Sequence, residues 1–376
     1  MATISEKTTV PFVDLGPSSS AVSQELLPEI AELIERGAFV NGPYLDRFEQ
    51  DFAAYTNRQH TVGVASGLDA LRLGLLACGI QPGDEVIVPA MTFIATFEAV
   101  IQAGGKPLVV DVNLDDANID SEQTAAAITP NTRFLLPVHL YGQMSDCRTL
   151  QQLAQTHQLD LIEDACQAHG ASRDGITAGN AGKAAAFSFY PSKNLGAMGD
   201  AGALVLDDPH TAATLRALRE HGQTRRYHSD HLGYTARLDA LQALILTHKL
   251  PHLTTWNNER RQAADYYTHH LTNTGDLQLP TTHPNTTHVW HLYTIRTQNP
   301  TALAEHLQHH GIATGRHYPQ PPHLAPALKH LNHPPGSFPN AETIANQTLS
   351  LPLYPGITEH QQETVTTTIN NYFTHA

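Results

Sequence analysis

Short apolar runs of strand length alternate with longer segments of helical spacing through the first half of the chain. TVGVA (61–65), DEVIVPA (84–90), PLVVDV (107–112), TRFLLPVHLYG (132–142) and LDLIEDA (159–165) are largely apolar at consecutive positions. That pattern suits strands covered on both faces, as in parallel sheets. Between them, LDALRLGLLACG (68–79), MTFIATFEAVIQAGG (91–105) and CRTLQQLAQTH (147–157) carry apolar residues at three- and four-residue intervals and read as helices. Ahead of this series, VPFVDL (10–15) reads as an extended lead-in. AVSQELLPEIAELIER (21–36) reads as a helix ending before Gly37, and Asn41-Gly42-Pro43 as a turn into another helix. Strands and helices alternating at this spacing predict an α/β chain with a mostly parallel, doubly wound sheet.

The pattern changes from about residue 208. Helices are predicted at 211–222, 236–253 and 257–271, with a polar loop, QTRRYHSDHLGYT, at 223–235. HVWHLYTIR (288–296) and GIATGRHY (311–318) read as strands flanking the helix TALAEHLQHH. The end of the chain reads as helix, short strand, helix. The expected division is a large domain over 1–245, including an N-terminal arm, and a smaller C-terminal α+β domain over 246–376.

Ligand-binding groups in doubly wound sheets gather at the carboxyl ends of strands. Ser66, Phe93, His139, Asp164 and Lys193 all fall at such ends or in the loops that follow. Lys193 lies between Phe187-Ser188-Phe189-Tyr190 and a glycine-rich run, NLGAMGDAGA. A lysine placed there loses hydration, its pKa falls, and its amine becomes a usable nucleophile. The alternative is a surface lysine with a solvated head. Ser66-Gly67 joins a strand to a helix, which points free amides at an anion such as phosphate. Asp164 is a strand-end carboxylate that either caps the next helix or holds a ligand nitrogen protonated. Lysine amine, carboxylate and phosphate cradle together make a site for pyridoxal phosphate, with Ser188 as a further phosphate donor.

Composition narrows the partners. Lys and Arg number 22 against 36 Asp and Glu, a net charge of −14 over 376 residues. That balance argues against binding nucleic acid or acidic membranes nonspecifically. No apolar run approaches the ~18 residues of a membrane span. Residues 1–15 lack the apolar core of a signal peptide, so a cytoplasmic protein is expected. The three cysteines form no CxxC pair and read as reduced thiols. The 24 histidines show no metal-binding spacing and read as polar surface residues, so no metal is expected.

From end to end the chain resembles the DegT/DnrJ/EryC1/StrS sugar aminotransferases, which have the aspartate aminotransferase fold (fold type I). FVNGPYLDRFE, GVASGLDAL, GDEVIVPAMTFIAT, PVHLYGQMSD, LIEDACQAHGA, SFYPSKNLGAMGDAGALV, GYTARLDALQA and RHYPQPPH carry the resemblance, in order. It implies that Lys193 forms the Schiff base with pyridoxal phosphate and Asp164 pairs with the pyridine nitrogen. Gln167 would contact the ring hydroxyl and Phe93 would stack on the ring. Ser188 and the amides around Gly67 and Leu68 would hold the phosphate. His317, Tyr318 and His323 would lie near the sugar, with Tyr190 among the substrate contacts. Two departures stand out. Leu68 replaces the family's usual threonine, leaving only backbone to serve. Gly233-Tyr234-Thr235-Ala236-Arg237 replaces GYNxR, so Thr235 or Arg237 would supply the cross-subunit phosphate contact.

The resemblance implies a homodimer with shared active sites. It implies transfer of an amino group, with glutamate as donor, to carbon 3 of a dTDP-linked keto-6-deoxyhexose. The alternatives are carbon 4 and a non-catalytic protein that binds nucleotide sugar. Arg225 and Arg226 are the expected diphosphate contacts, followed by Lys249 and Arg316.

Overall fold

The computed structural model describes residues 10–375; the side chain of His375 and residues 1–9 and 376 are left out. The reading of the N-terminus as lacking a signal peptide therefore falls mainly outside the described residues. Seven strands form the main sheet: β1 (His60–Val64), β2 (Glu85–Pro89), β3 (Lys106–Val110), β4 (Thr132–Leu135), β5 (Asp160–Asp164), β6 (Ala184–Ser188) and β7 (Gly202–Leu206). Their order is β1-β7-β6-β5-β4-β2-β3. Only β7 runs against its neighbours, pairing antiparallel with both β1 and β6. The remaining pairs are parallel, so the expected mostly parallel α/β sheet is present.

Side-chain parity sorts this sheet into two cores. Ile162, Ala184, Ala186, Leu204 and Leu206 face one side, where they pack with Ala70, Leu71 and Leu75 of the helix Gly67–Ala77. Leu161, Ala185, Phe187 and Val205 face the other, against Phe48, Phe52 and Leu246. The same parity carries Asp164 and Ser188, each two residues beyond a residue of the first set, toward the helix Gly67–Ala77. Glu163 is carried to the opposite face, where it accepts the amides of Gly179, Ala181 and Gly182.

A third core surrounds the helix Leu253–Leu271 and an antiparallel pair, Tyr293–Arg296 with Thr348–Leu351. Tyr267, Ile295, Leu303, Leu351 and Ile369 are fully buried there. Val10 joins this core, its N–H donating to Gly311 and its carbonyl accepting from Ala313.

Several sequence expectations change, among them the strand expected over 132–142, which ends at Leu135. The strand expected over 288–296 shrinks to Tyr293–Arg296, because the chain turns at Trp290 (φ +45°) with its indole stacked on His288. The strand expected over 311–318 is reduced to single bridges: Ile312 pairs with Val10 and Gly315 with Ser350. Two different segments share it, so no ladder builds. The polar loop at 223–235 contains a short hairpin, Gln223–Arg225 with His228–Ser229. The first long helix spans Gly16–Arg36 and ends on Gly37 in the left-handed region.

Candidate active site

The helix Gly67–Ala77 begins where β1 ends. Ser66 caps it, accepting the Asp69 amide at 3.1 Å. The amides of Gly67 and Leu68 lie in the first turn, where a helix offers no internal acceptor. Gly67 is sterically required: a Cβ there would lie 2.7 Å from Cβ of Ser188 and 2.9 Å from Sγ of Cys166. Gly202 faces this turn for the same reason, since its Cβ would meet the Ser66 carbonyl at 2.3 Å. The result is a tight backbone cradle at the ends of β1, β5 and β6.

Asp164 stands at the end of β5 and is buried. Its Oδ2 accepts from the Thr96 hydroxyl at 2.9 Å and its Oδ1 from the Cys166 amide at 3.2 Å. Because Thr96 spends its proton on Asp164, the Thr92 hydroxyl must donate to Thr96. Gln167 is likewise fixed: Oε1 accepts the Tyr141 N–H at 2.7 Å, and Nε2 donates to the Tyr318 hydroxyl at 3.1 Å.

Lys193 opens into the same space. Burial is the largest influence on its amine and pulls the pKa below the ordinary lysine range; the nearby Cys166 and Asp164 act in the opposite direction. Its loop is pinned from behind. Asn194 donates to Asn257 and to the Val289 carbonyl, both at 2.8 Å. Gly196 lies so close to the Pro191 carbonyl that a Cβ would stand 2.2 Å from it. Lys249 donates to the Gly196 carbonyl at 3.0 Å.

A cavity of about 520 Å³ lies between these groups. Gly67, Leu68, Phe93, Asp164, Gln167, Ser188, Tyr190, Lys193, His317 and Tyr318 all line it. Phe93 is half-exposed and tilts toward Tyr318 at 5.4 Å. His317 stacks on Phe12, its Nδ1 lies 2.8 Å from the Ser350 hydroxyl, and burial pushes its pKa down to about 4. The remaining expected residues lie elsewhere. Arg225 and Arg226 are exposed on the hairpin. Arg237 pairs with Glu220 at 2.6 Å, and the Thr235 hydroxyl contacts His221. His323 is buried outside the cavity wall, 3.2 Å from Glu342.

Lys249 and Arg316 differ from the sequence expectation. Lys249 is buried under the Lys193 loop, and Arg316 donates to the carbonyls of Ala345, Asn346 and Thr348 at a helix end. Neither lines the cavity. Sequence reasoning overlooked Thr96, Tyr141, Arg260 and His291. Thr96 had a signal, since it falls one helical turn after Phe93. His291 was hidden inside an apparent strand, and His288 and His291 are buried rather than on the surface.

The ligands His139, Cys147 and Glu163 come within 4.8 Å of one another. His139 and Glu163 already spend their nitrogens and oxygens on protein partners. The Ser145 N–H donates to Nδ1 of His139, so Nε2 carries the proton and donates to Glu163 at 3.0 Å. No helix among the described residues is long and apolar enough to cross a membrane.

A family model described as the DegT/DnrJ/EryC1/StrS aminotransferase family matches residues 21–370. The chain is 45% identical to the dTDP-3-amino-3,4,6-trideoxy-alpha-D-glucose transaminase of Streptomyces venezuelae, over 96% of this chain and 95% of that protein. It is 42% identical to the UDP-N-acetyl-3-dehydro-alpha-D-glucosamine 3-aminotransferase of Acidithiobacillus ferrooxidans, over 97% and 98%. The crystal structure of S. venezuelae DesV superposes with a TM-score of 0.94 at 44% identity, covering 96% of this chain and 98% of that one.

Proposed function

The chain belongs to the DegT/DnrJ/EryC1/StrS aminotransferase family and is a pyridoxal-phosphate-dependent aminotransferase, and within that family we propose that it aminates carbon 3 of a dTDP-linked keto-6-deoxyhexose, with glutamate as donor. One observation carries the assignment of roles: a desolvated lysine, a buried carboxylate and a backbone cradle converge on one cavity. The residues fit the cofactor. The cradle leaves no room for a Cβ but presents free first-turn amides, as a phosphate needs. Asp164 offers its carboxylate at the cavity wall, where a ring N–H would find it.

When bound, pyridoxal phosphate supplies a carbonyl that captures amines and a ring that accepts electrons from the substrate carbon. The chain supplies the rest. Gly67, Leu68 and Ser188 would hold the phosphate. Asp164, oriented by Thr96 and the Cys166 amide, would keep the ring nitrogen protonated. Phe93 would cover one face of the ring and Gln167 would reach its hydroxyl. Lys193 would bind the cofactor carbonyl and, once released, carry the proton between substrate carbon and cofactor carbon. A lowered lysine pKa suits that second task, because burial makes the amine give up its proton more readily than an exposed lysine would. Tyr190, His317 and Tyr318 would contact the sugar, and Arg225 and Arg226 would meet the diphosphate.

We further propose a homodimer with shared sites. Arg225, Arg226, Tyr227 and Leu232 project on an exposed hairpin, with Leu232 97% exposed. Thr235 and Arg237 follow directly and would serve a neighbouring copy. Mixing inactive Lys193→Ala with an inactive variant of the Gly233–Arg237 loop should restore some activity through hybrid dimers, and no recovery despite demonstrated subunit exchange would count against sharing.

The substrate assignment rests on likeness to the carbon-3 enzymes above. Incubation with L-glutamate and a panel of dTDP-3-keto and dTDP-4-keto sugars tests it. An amino product from 3-keto sugars is expected. Turnover of 4-keto sugars alone would transfer the assignment to carbon 4.

A further inference from the structure

Two lining residues have unused hydrogen-bonding capacity beside Lys193. Arg260, on the helix Leu253–Leu271, is 3% exposed and forms no ion pair among the described residues. Its Nη1 donates to the carbonyls of Leu353 at 2.9 Å and of Trp290 and His291 at 3.4 Å. Its Nε is buried with no partner, and Nη2 has none among the described residues. Burial pulls its pKa down to about 10, so the guanidinium remains charged at neutral pH. Among the described residues, Lys193 and Arg260 are the only lysine and arginine lining the cavity. A buried cation without a counter-ion is costly and readily accepts an incoming anion.

His291 supplies the complementary group. The Asn194 amide is fixed because Nδ2 donates to Asn257 and to Val289. Its Oδ1 must therefore accept, and the partner 3.2 Å away is Nδ1 of His291. The proton sits on Nδ1, leaving the Nε2 lone pair without a protein partner among the described residues. Burial keeps this ring neutral, with its pKa held well below the usual range.

We propose that Arg260 and His291 form the subsite of the amino-acid donor, the guanidinium taking its α-carboxylate and Nε2 of His291 accepting from its ammonium. Distance along the substrate favours the donor over the sugar diphosphate. The donor's carboxylate is bonded to the carbon that bears the reacting nitrogen, so it must lie close to Lys193. A diphosphate is separated from carbon 3 by the sugar ring and belongs nearer the cavity mouth. Arg260 adjoins Lys193 through His291 and Asn194, and its planar fork matches a carboxylate.

This inference rests on the proposed aminotransferase reaction. The test compares kcat/KM for L-glutamate with that for its α-amide in the holoenzyme, and in Arg260→Gln. Wild type should prefer the acid by about tenfold or more, the scale of one charge-assisted contact. Arg260→Gln should erase most of that preference while leaving KM for the ketosugar unchanged. A merely structural arginine would lower both rates and preserve their ratio. Arg260→Lys, which keeps the charge, provides the same comparison if the glutamine variant does not fold. An unaltered ratio in a folded variant, or no preference in wild type, overturns the subsite. Absence of any transamination by wild type would instead reject the proposed function.

Discussion

At the strand ends of the cavity's inner wall, Asp164 and Gln167 are held from two sides by the same chain; on the hairpin the two arginines are not. Asp164 has Thr96 and the Cys166 amide, and Gln167 has Tyr141 and Tyr318. Arg225 is exposed, and among the described residues Arg226 reaches only the neighbouring Tyr227. The inner wall sits on strand ends whose positions are fixed by the sheet ladder, so its geometry is preorganised before any ligand arrives. The hairpin is tied to itself by its short ladder and by Thr224 donating to Asp230, but its arginines extend away from the strand ends, so they can alter which substrate is held without disturbing the chemistry. The contrast predicts that inner-wall substitutions damage turnover or folding, while hairpin substitutions alter KM alone.

The largest expected effect is at Lys193. Lys193→Ala should abolish turnover, removing both the cofactor linkage and a proton carrier worth about 10²–10⁴-fold. Steady-state assays decide it, and near-wild-type turnover would break the contrast at its strongest point. Asp164→Asn should come next. The amide keeps the shape but cannot stabilise a protonated ring nitrogen, so cofactor should remain bound while most activity is lost. Activity that returns fully on saturation with cofactor would reduce Asp164 to a binding contact.

Gly67→Ala is the structural counterpart. The new methyl would press on Ser188 and Cys166, and overpacking of this kind costs about 1–3 kcal/mol. Thermal melts of the apo-protein should show that loss, and cofactor titration should show weaker binding. The smallest effect is expected on the hairpin. Replacing Arg225 and Arg226 with alanine should raise KM for the nucleotide sugar more than about tenfold, or ~1.4 kcal/mol. KM for glutamate and kcat should hardly change, because these arginines would touch a remote part of the substrate equally in ground and transition states.

The same division explains what could be read from sequence. Strand ends were legible because apolar runs mark strands, which located Asp164; Lys193 was found from its place between a buried-looking run and a glycine-rich loop, and Ser188 from its place just before Lys193. Gly67 was legible as a turn glycine, though not the two side chains that exclude a Cβ. The readings failed where function depends on contacts distant in sequence. Lys249 and Arg316 looked like free cations, yet each is engaged by backbone carbonyls more than twenty-five residues away. His291 and Arg260 carry no local signal, since their significance lies in partners they lack. The segment 311–318 has strand-like composition but finds single-residue partners on two segments, and composition cannot report that.

The central claim is that Lys193 is the residue joined to pyridoxal phosphate. Borohydride reduction of the holoenzyme, followed by proteolysis and mass spectrometry, tests it most directly. The reduced cofactor should be attached to the peptide containing Lys193, and the yellow absorbance should disappear. Attachment to another lysine, or no covalent adduct in a cofactor-loaded and active enzyme, would contradict the account.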